Sequence, residues 1–373
     1  VQINSWNEWD PLTHVVVGRA DGTMVQAPEP AVIRDWPDDG FPRGAFGPVP
    51  PDMTDRATQQ LDDFAELLRR RGITVDRPRT LDFDRAVSTP EWTQETMFGC
   101  MPPRDVLITV GNEILEATMS ARSRWYEYLC YRPLLERYWR EDPGARWEAA
   151  PKPRLTEESY RPDFWAEFEA LTPEERLDRA SRHDLLLTEV EPLFDAADIV
   201  RCGRDLFVQP SLVTNHAGIR WLRQHLPELR VHAVTFEHDE PLHIDATWVP
   251  LRPGLILHCG VRPAEEELLQ FCKANDWEVV TAAPPARDAR TLPPLSFCSQ
   301  WLSMNLLSLD ERTVCVEASE FAQMEQLDKL GFEVVPVPFW DVAPFGGGLH
   351  CATVDINRTG VLEGYFPVRH GRF

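Results

Sequence analysis

The sequence predicts a single α/β domain of pseudo-symmetric, propeller-like form, built from about five strand-strand-helix-strand units. Three observations carry this. A helix-period stretch followed by a short break and a β-branched strand recurs along the chain. A strand pair with a turn signal between its arms precedes four of those helices. The first helix has one strand ahead of it, and a partner is available near the C-terminus, so pairing the two chain ends would close a ring and hide its sheet edges. A mixed-sheet α/β fold without symmetry is the alternative.

In chain order, "THVVVGRA" is the lone first strand, followed by the helix "DRATQQLDDFAELLRRRG" and the strand "ITVDRP". The second unit pairs the arms of "DVLITVGNEILEA", with the looser helix "SRWYEYLCYRPLLERYWRE" before "RWEAAP". The third runs "ADIVRCGRDLFVQ", "NHAGIRWLRQHLPEL", "RVHAVTF", and the fourth "HIDATWVPLRPGLILH", "AEEELLQFCKANDW", "EVVTA". The fifth is "LLSLDERTVCVEA", "SEFAQMEQLDKLG", "FEVVPV"; "HCATVDINRTGVLEGY" then supplies the missing first strand. One domain thus spans residues 1–373, with a Pro-rich insertion at about 27–52 and an acidic, mixed one at about 151–184. Long ordered loops over a compact body act as lids or gates, or are surface elaboration.

Sixty acidic against 38 basic residues give a formal charge of -22. That balance repels phosphate backbones and anionic lipid, excluding nucleic acid and membrane as expected partners and favouring a cationic substrate. Cysteines 100, 130, 202, 259, 272, 298, 315 and 351 are scattered, with no CxxC and no zinc-ligand spacing. Free thiols and a cytoplasmic, reducing location are expected. The start has no basic stretch leading into an apolar one, and no apolar run approaches a membrane span.

Polar residues cluster where the first strand of each hairpin should begin: Asp105, Asp195 with Asp198, His243 with Asp245, Ser299 with Ser303, and Cys351. Equivalent ends of a circular repeat converge, so these side chains would share one pocket. Cys351 is its realistic nucleophile. His350 is adjacent to it, but neighbours on an extended segment face opposite ways. His243 suits the base better: it is expected to share a strand face with Asp245, while Asp195 orients its ring. Cys with a partnered His generates a thiolate and returns a proton to a leaving group. Taken singly, each residue has a plainer reading as a buried thiol, a structural histidine or a cap. Several acids around one thiol oppose its ionisation unless the substrate brings positive charge. A guanidinium does so, offering fork-shaped donors to paired carboxylates.

Those residues sit within motifs of wider reach. From "NEWDPL" and "VVVGRA", through "PRDVLITVGNEILEA", "RSRWYEY", "AAPKP", "FDAADIVRCGRDLF", "HIDATW" and "WLSMN", to "FGGGLHC", the chain resembles the glycine amidinotransferase family almost end to end. The resemblance implies a five-bladed, pentein-like α/β propeller, a homodimer, and ping-pong transfer of an amidino group from L-arginine to an acceptor amine, without metal or cofactor. It implies Cys351 as the amidinated nucleophile, His243 as general acid then base, and Asp195 as its carboxylate partner. Asp105 and Asp245 would hold the guanidinium, Arg262 the donor α-carboxylate, and Ser299 would assist.

Two departures bear on the acceptor. Glu240 stands where the glycine-using enzymes are expected to carry asparagine, and Cys298 replaces a serine beside Ser299. A carboxylate there disfavours a small acceptor bearing its own carboxylate. The expectation is a non-glycine acceptor, such as a lysine-like diamine or an amine in guanidino natural-product biosynthesis. Alternatives are glycine itself, a guanidine hydrolase that releases citrulline, and an idle binding protein on the same fold.

Overall fold

The computed structural model describes residues 1–32, 44–286 and 292–373, so part of the first insertion, 33–43, lies outside the described residues. Among the described residues, five three-stranded sheets share one design. In the second, Leu107–Val110 runs antiparallel to Glu113–Glu116, which pairs in parallel with Arg146–Ala149 after the helix Tyr128–Glu141. Ile199–Cys202, Asp205–Val208 and Arg230–Ala233 repeat the pattern, as do Trp248–Arg252, Leu255–His258 and Glu278–Thr281, and then Leu307–Ser308, Thr313–Glu317 and Glu333–Val337. Gly111, Gly203 and Gly254 supply the positive φ of the hairpin turns; in the fifth sheet Asp310 Oδ1 accepts from the backbone of Arg312 and Thr313 instead.

The first sheet closes as expected. Leu12–Val17 pairs antiparallel with Thr353–Arg358 and parallel with Thr74–Asp76, so its first strand comes from the far end of the chain. Helix Pro51–Arg70 starts on a proline at its first position and buries Met53, Ala57, Leu61, Phe64 and Leu68, one stripe at 3.6-residue spacing. The stripe packs with Val15, Val17 and Val75 of the first sheet and Val335 and Val337 of the fifth. Leu12 N also donates to Leu309 O at 2.8 Å. First and fifth sheets therefore share a core.

The second helix departs from its predicted start. It begins at Tyr128, and Arg122–Arg124 form a separate 3-10 turn. Arg124, at the end of that turn, reaches inward to Asp105 and Glu127, at 2.8 Å from each.

Beneath the sheet ends lies a fully buried ionic hub. Arg201 Nε and Nη2 clamp the two Glu8 carboxylate oxygens at 2.8 Å each, and Nη2 reaches Asp355 Oδ2 at 2.5 Å. Arg104 Nη2 donates to Asp355 Oδ1 at 2.9 Å and Arg358 Nε to Oδ2 at 2.8 Å. Arg201 Nη1 also satisfies Ser5 Oγ and Thr109 O, and Arg358 Nη2 satisfies Ser308 O. Burial raises the pKa of Asp355, but Arg104, Arg358 and Arg201 outweigh it and hold the carboxyl well below its usual range. Its contribution is thus complete above the unfolded value of about 4 and is lost only as pH falls through the lower folded value.

Removing one partner of such a group strands the others. Asp355→Ala should destabilise the protein by about 3–5 kcal/mol, read by urea unfolding; a loss under about 1 kcal/mol, the scale of exposed pairs, would show that the hub does not hold the sheets together.

Candidate active site

Each hairpin is preceded by a single helical turn, and these turns deliver the polar residues. Pro103–Val106 carries Asp105; Ala196–Asp198 follows Asp195; Ile244–Ala246 follows His243 and carries Asp245; Gln300–Met304 follows Ser299. Ahead of Thr353–Arg358, Ala352 N donates to Gly348 O at 3.0 Å, making the equivalent turn around Cys351. The expectation that these side chains lie on the strands is corrected, because the chain curls before each strand begins. His243 and Asp245 consequently diverge: one faces Asp195, the other His350 and Cys351. His243 itself has φ 50°, a conformation a non-glycine residue holds only when its surroundings impose it.

Asp105, Asp195, Glu240, His243, Asp245, Arg262, Ser299 and Cys351 all line one cavity of about 740 Å³. Asp198 and Ser303 do not. Asp198 is fully buried behind the wall, where Ser211 Oγ and Thr214 Oγ1 donate to it and burial pushes its carboxyl up to about 7. Ser303 is buried as well.

The Cys351 sulfur is held by a residue that the sequence reading passed over within "WLSMN". Asn305 Nδ2 donates to Sγ at 3.1 Å, while Asn305 Oδ1 accepts from the backbone of His350 and Cys351, both at 3.0 Å. Sγ lies 3.4 Å from Asp245 Oδ2. At Gly347, φ is 147° and a Cβ would fall 2.5 Å from Sγ, so only glycine admits the thiol here. Burial, then the charges of Asp245 and Asp105, raise the thiol well above its ordinary pKa. An unliganded Cys351 is therefore protonated, and a cation beside Asp245 and Asp105 would favour the thiolate.

His243 Nε2 is 3.2 Å from Asp195 Oδ2, and Nδ1 is 3.8 Å from Asp105 Oδ1. Burial lowers its pKa, but Asp105, the Asp195 hydrogen bond and Asp198 outweigh it and lift the imidazole to about 10. The stability this adds is complete below about 6.5 and is lost as pH rises through about 10. Arg124, a second residue missed in the sequence, donates to Asp105 Oδ2 at 2.8 Å and stands 3.7 Å from Asp195. Ligand atoms of Asp105, Asp195 and His243 lie within 4.8 Å of one another, as a metal would require. Arg124 already supplies a cation to those carboxylates. One oxygen of each, Asp105 Oδ1 and Asp195 Oδ1, is buried without a hydrogen-bond partner.

At the other end, Arg262 donates to Thr247 Oγ1 at 2.9 Å and to Ser299 Oγ at 2.8 Å. Cys298 Sγ lies 3.5 Å from Ala343 O. Glu240 does not stand alone, since Arg176 Nη1 reaches its Oε1 at 2.9 Å. Arg176 belongs to helix Pro173–Ser181 of the second insertion, which, with Trp165 and Phe168 of Phe164–Ala170, forms part of the cavity wall.

No family model matches the chain. It is 39% identical over 368 residues to the mitochondrial glycine amidinotransferase of Xenopus tropicalis, covering 97% of this chain and 84% of that one. It is 38% identical over 365 residues to the L-arginine:L-lysine amidinotransferase of Pseudomonas savastanoi pv. phaseolicola, covering 97% and 96%. Among solved structures it superposes on SxtG, an amidinotransferase of the saxitoxin biosynthetic pathway from Microseira wollei, with TM-score 0.84, 38% identity, and 98% and 99% of the two chains covered.

By NMR of labelled imidazole, His243 should titrate near 10 in the unliganded protein, and Asp195→Asn should lower that by about 1–3 units. Titration near 6.5 in the intact protein would contradict the charge arrangement described.

Proposed function

The chain belongs to the glycine amidinotransferase family and is an amidinotransferase; we propose that its five sheets close as a five-bladed α/β propeller around a site that moves the amidino group of L-arginine onto an acceptor amine through amidino-Cys351. The carrying observation is one cavity that joins the Cys351 thiol, the His243 imidazole held by Asp195, and the carboxylates of Asp105 and Asp245. A binding protein needs no thiol and carboxylate-held imidazole lining the same cavity.

The donor guanidinium enters between Asp105 and Asp245, and Arg262, assisted by Ser299, takes its α-carboxylate. The new positive charge offsets the acids that kept the thiol protonated; the Cys351 proton leaves to solvent and Sγ bonds to the guanidinium carbon. His243, kept charged by Asp195, gives its proton to the δ-nitrogen. The carbon–nitrogen bond breaks and ornithine departs. A neutral acceptor amine then attacks the same carbon, yields its proton to His243, and releases the Cys351 thiolate with the new guanidine. One imidazole serves as acid, then base.

We assign the acceptor to amines other than glycine. Glu240 is offset by Arg176, so bare repulsion of a carboxylate no longer carries this assignment. Its support is instead a wall with both charge signs and two aromatic rings, Trp165 and Phe168, in a cavity sized for larger ligands. A lysine-like amine or a guanidino natural-product precursor fits that wall, in line with the acceptor named for the Pseudomonas relative and the pathway named for SxtG.

Incubated with arginine alone, the enzyme should release ornithine up to about one equivalent, as a covalent amidino-enzyme without acceptor requires, and Cys351→Ser should release none. Sustained citrulline production would instead indicate hydrolysis. Given a panel of acceptors, initial rates should rank lysine, a diamine or an amino sugar above glycine; glycine ranking first would refute the acceptor assignment.

A further inference from the structure

His350 adjoins the nucleophile, yet its ring turns away from the sulfur. Nδ1 lies 2.8 Å from Asp245 Oδ2, and Nε2 lies 3.4 Å from Glu8 Oε2. The ring is buried, with Arg104 donating to its backbone carbonyl at 3.4 Å. Glu8 is fixed in turn by two Arg201 hydrogen bonds of 2.8 Å. Asp245 uses the oxygen that meets His350 to meet Cys351 Sγ as well. An unbroken chain therefore runs from the hub, through Glu8, His350 and Asp245, to the sulfur.

From this geometry we propose that His350 is a positioning residue, an imidazolium clamped between Glu8 and Asp245 that keeps Asp245 ionised and aimed at the space beside Cys351 where the guanidinium must lie. A carboxylate buried against a thiol would otherwise take up a proton and lose its hold on a cationic substrate. The groups facing Asp245 are His350, His243 and Cys351; those facing His350 are Asp245, Glu8 and Arg104. Burial and Arg104 oppose the charge on His350, and the two carboxylates outweigh them. Burial likewise raises the Asp245 pKa, but His350 leads the contacts that bring it below the ordinary value. The backbone of His350 is tied separately, its N–H to Asn305, so a side-chain change leaves the nucleophile's turn anchored.

The inference rests on Cys351 and Asp245 forming the donor site. His350→Gln removes the charge but retains a hydrogen-bonding side chain. The acid limb of kcat/KM for arginine should move up by about 1–3 pH units, and KM for arginine should rise about tenfold or more, one pKa unit being one factor of ten, while kcat changes less. Thermal unfolding of the same variant checks that it folds; if it does not, His350→Asn is measured in its place. An acid limb and KM equal to wild type in a folded variant would overturn the role of His350. Cys351→Ser, run alongside, keeps the two questions apart: retained ornithine release there would sink the site reading itself, whereas its loss beside an unchanged His350→Gln would sink only this inference.

Discussion

Asp355 takes hydrogen bonds from three guanidinium groups in a space closed to water, and the rest of the architecture follows from that constraint. Arg358 shares its strand, Arg104 comes from the helical turn before the second sheet and Arg201 from the third sheet, and Arg201 also draws in Glu8 from the N-terminal segment. None of these charges has a favourable burial alone, because each unpaired ion would cost several kcal/mol. They become tolerable only together, with the remaining donors spent on backbone carbonyls such as Thr109 O and Ser308 O. The hub thus fixes how the first three sheets meet, and through Ser308 it reaches the fifth.

The cavity pairs its charges too, but around a thiol. Asp105, Asp195 and Asp245 are met by Arg124, His243 and His350 respectively, and one oxygen of Asp105 and one of Asp195 accept no hydrogen bond. Their negative charge lifts the pKa of His243 and of the Cys351 thiol together, so one set of carboxylates sets the protonation of both groups.

The repeat was legible in the sequence because each unit announces itself locally: Met53, Ala57, Leu61 and Phe64 mark a helical face within a few residues of one another, and the turn glycines mark the hairpins. Even the pairing of the chain ends could be read, as a first strand lacking a partner. The helical turns before the strands could not. A segment such as "HIDATW" alternates like a strand, and the contacts its turn makes, His243 with Asp195 and Asp245 with His350, are with residues distant in sequence. Arg124 and Asn305 escaped for the same reason, since "RSR" and "SMN" look like ordinary polar spacing until Asp105 and Cys351 are brought beside them. Glu240 was read as a lone charge because Arg176 lies far away along the chain.

The strand that follows Cys351, Thr353–Arg358, completes the first sheet by pairing with Leu12–Val17, far away along the chain. During synthesis Leu12–Val17 must therefore wait, with one edge unpaired, until the strands of the other four sheets have been made. Contacts of such sequence separation form late and slowly. Until then the open edge on the nascent chain is a template for wrong pairing, a hazard that ends when the last sheet closes.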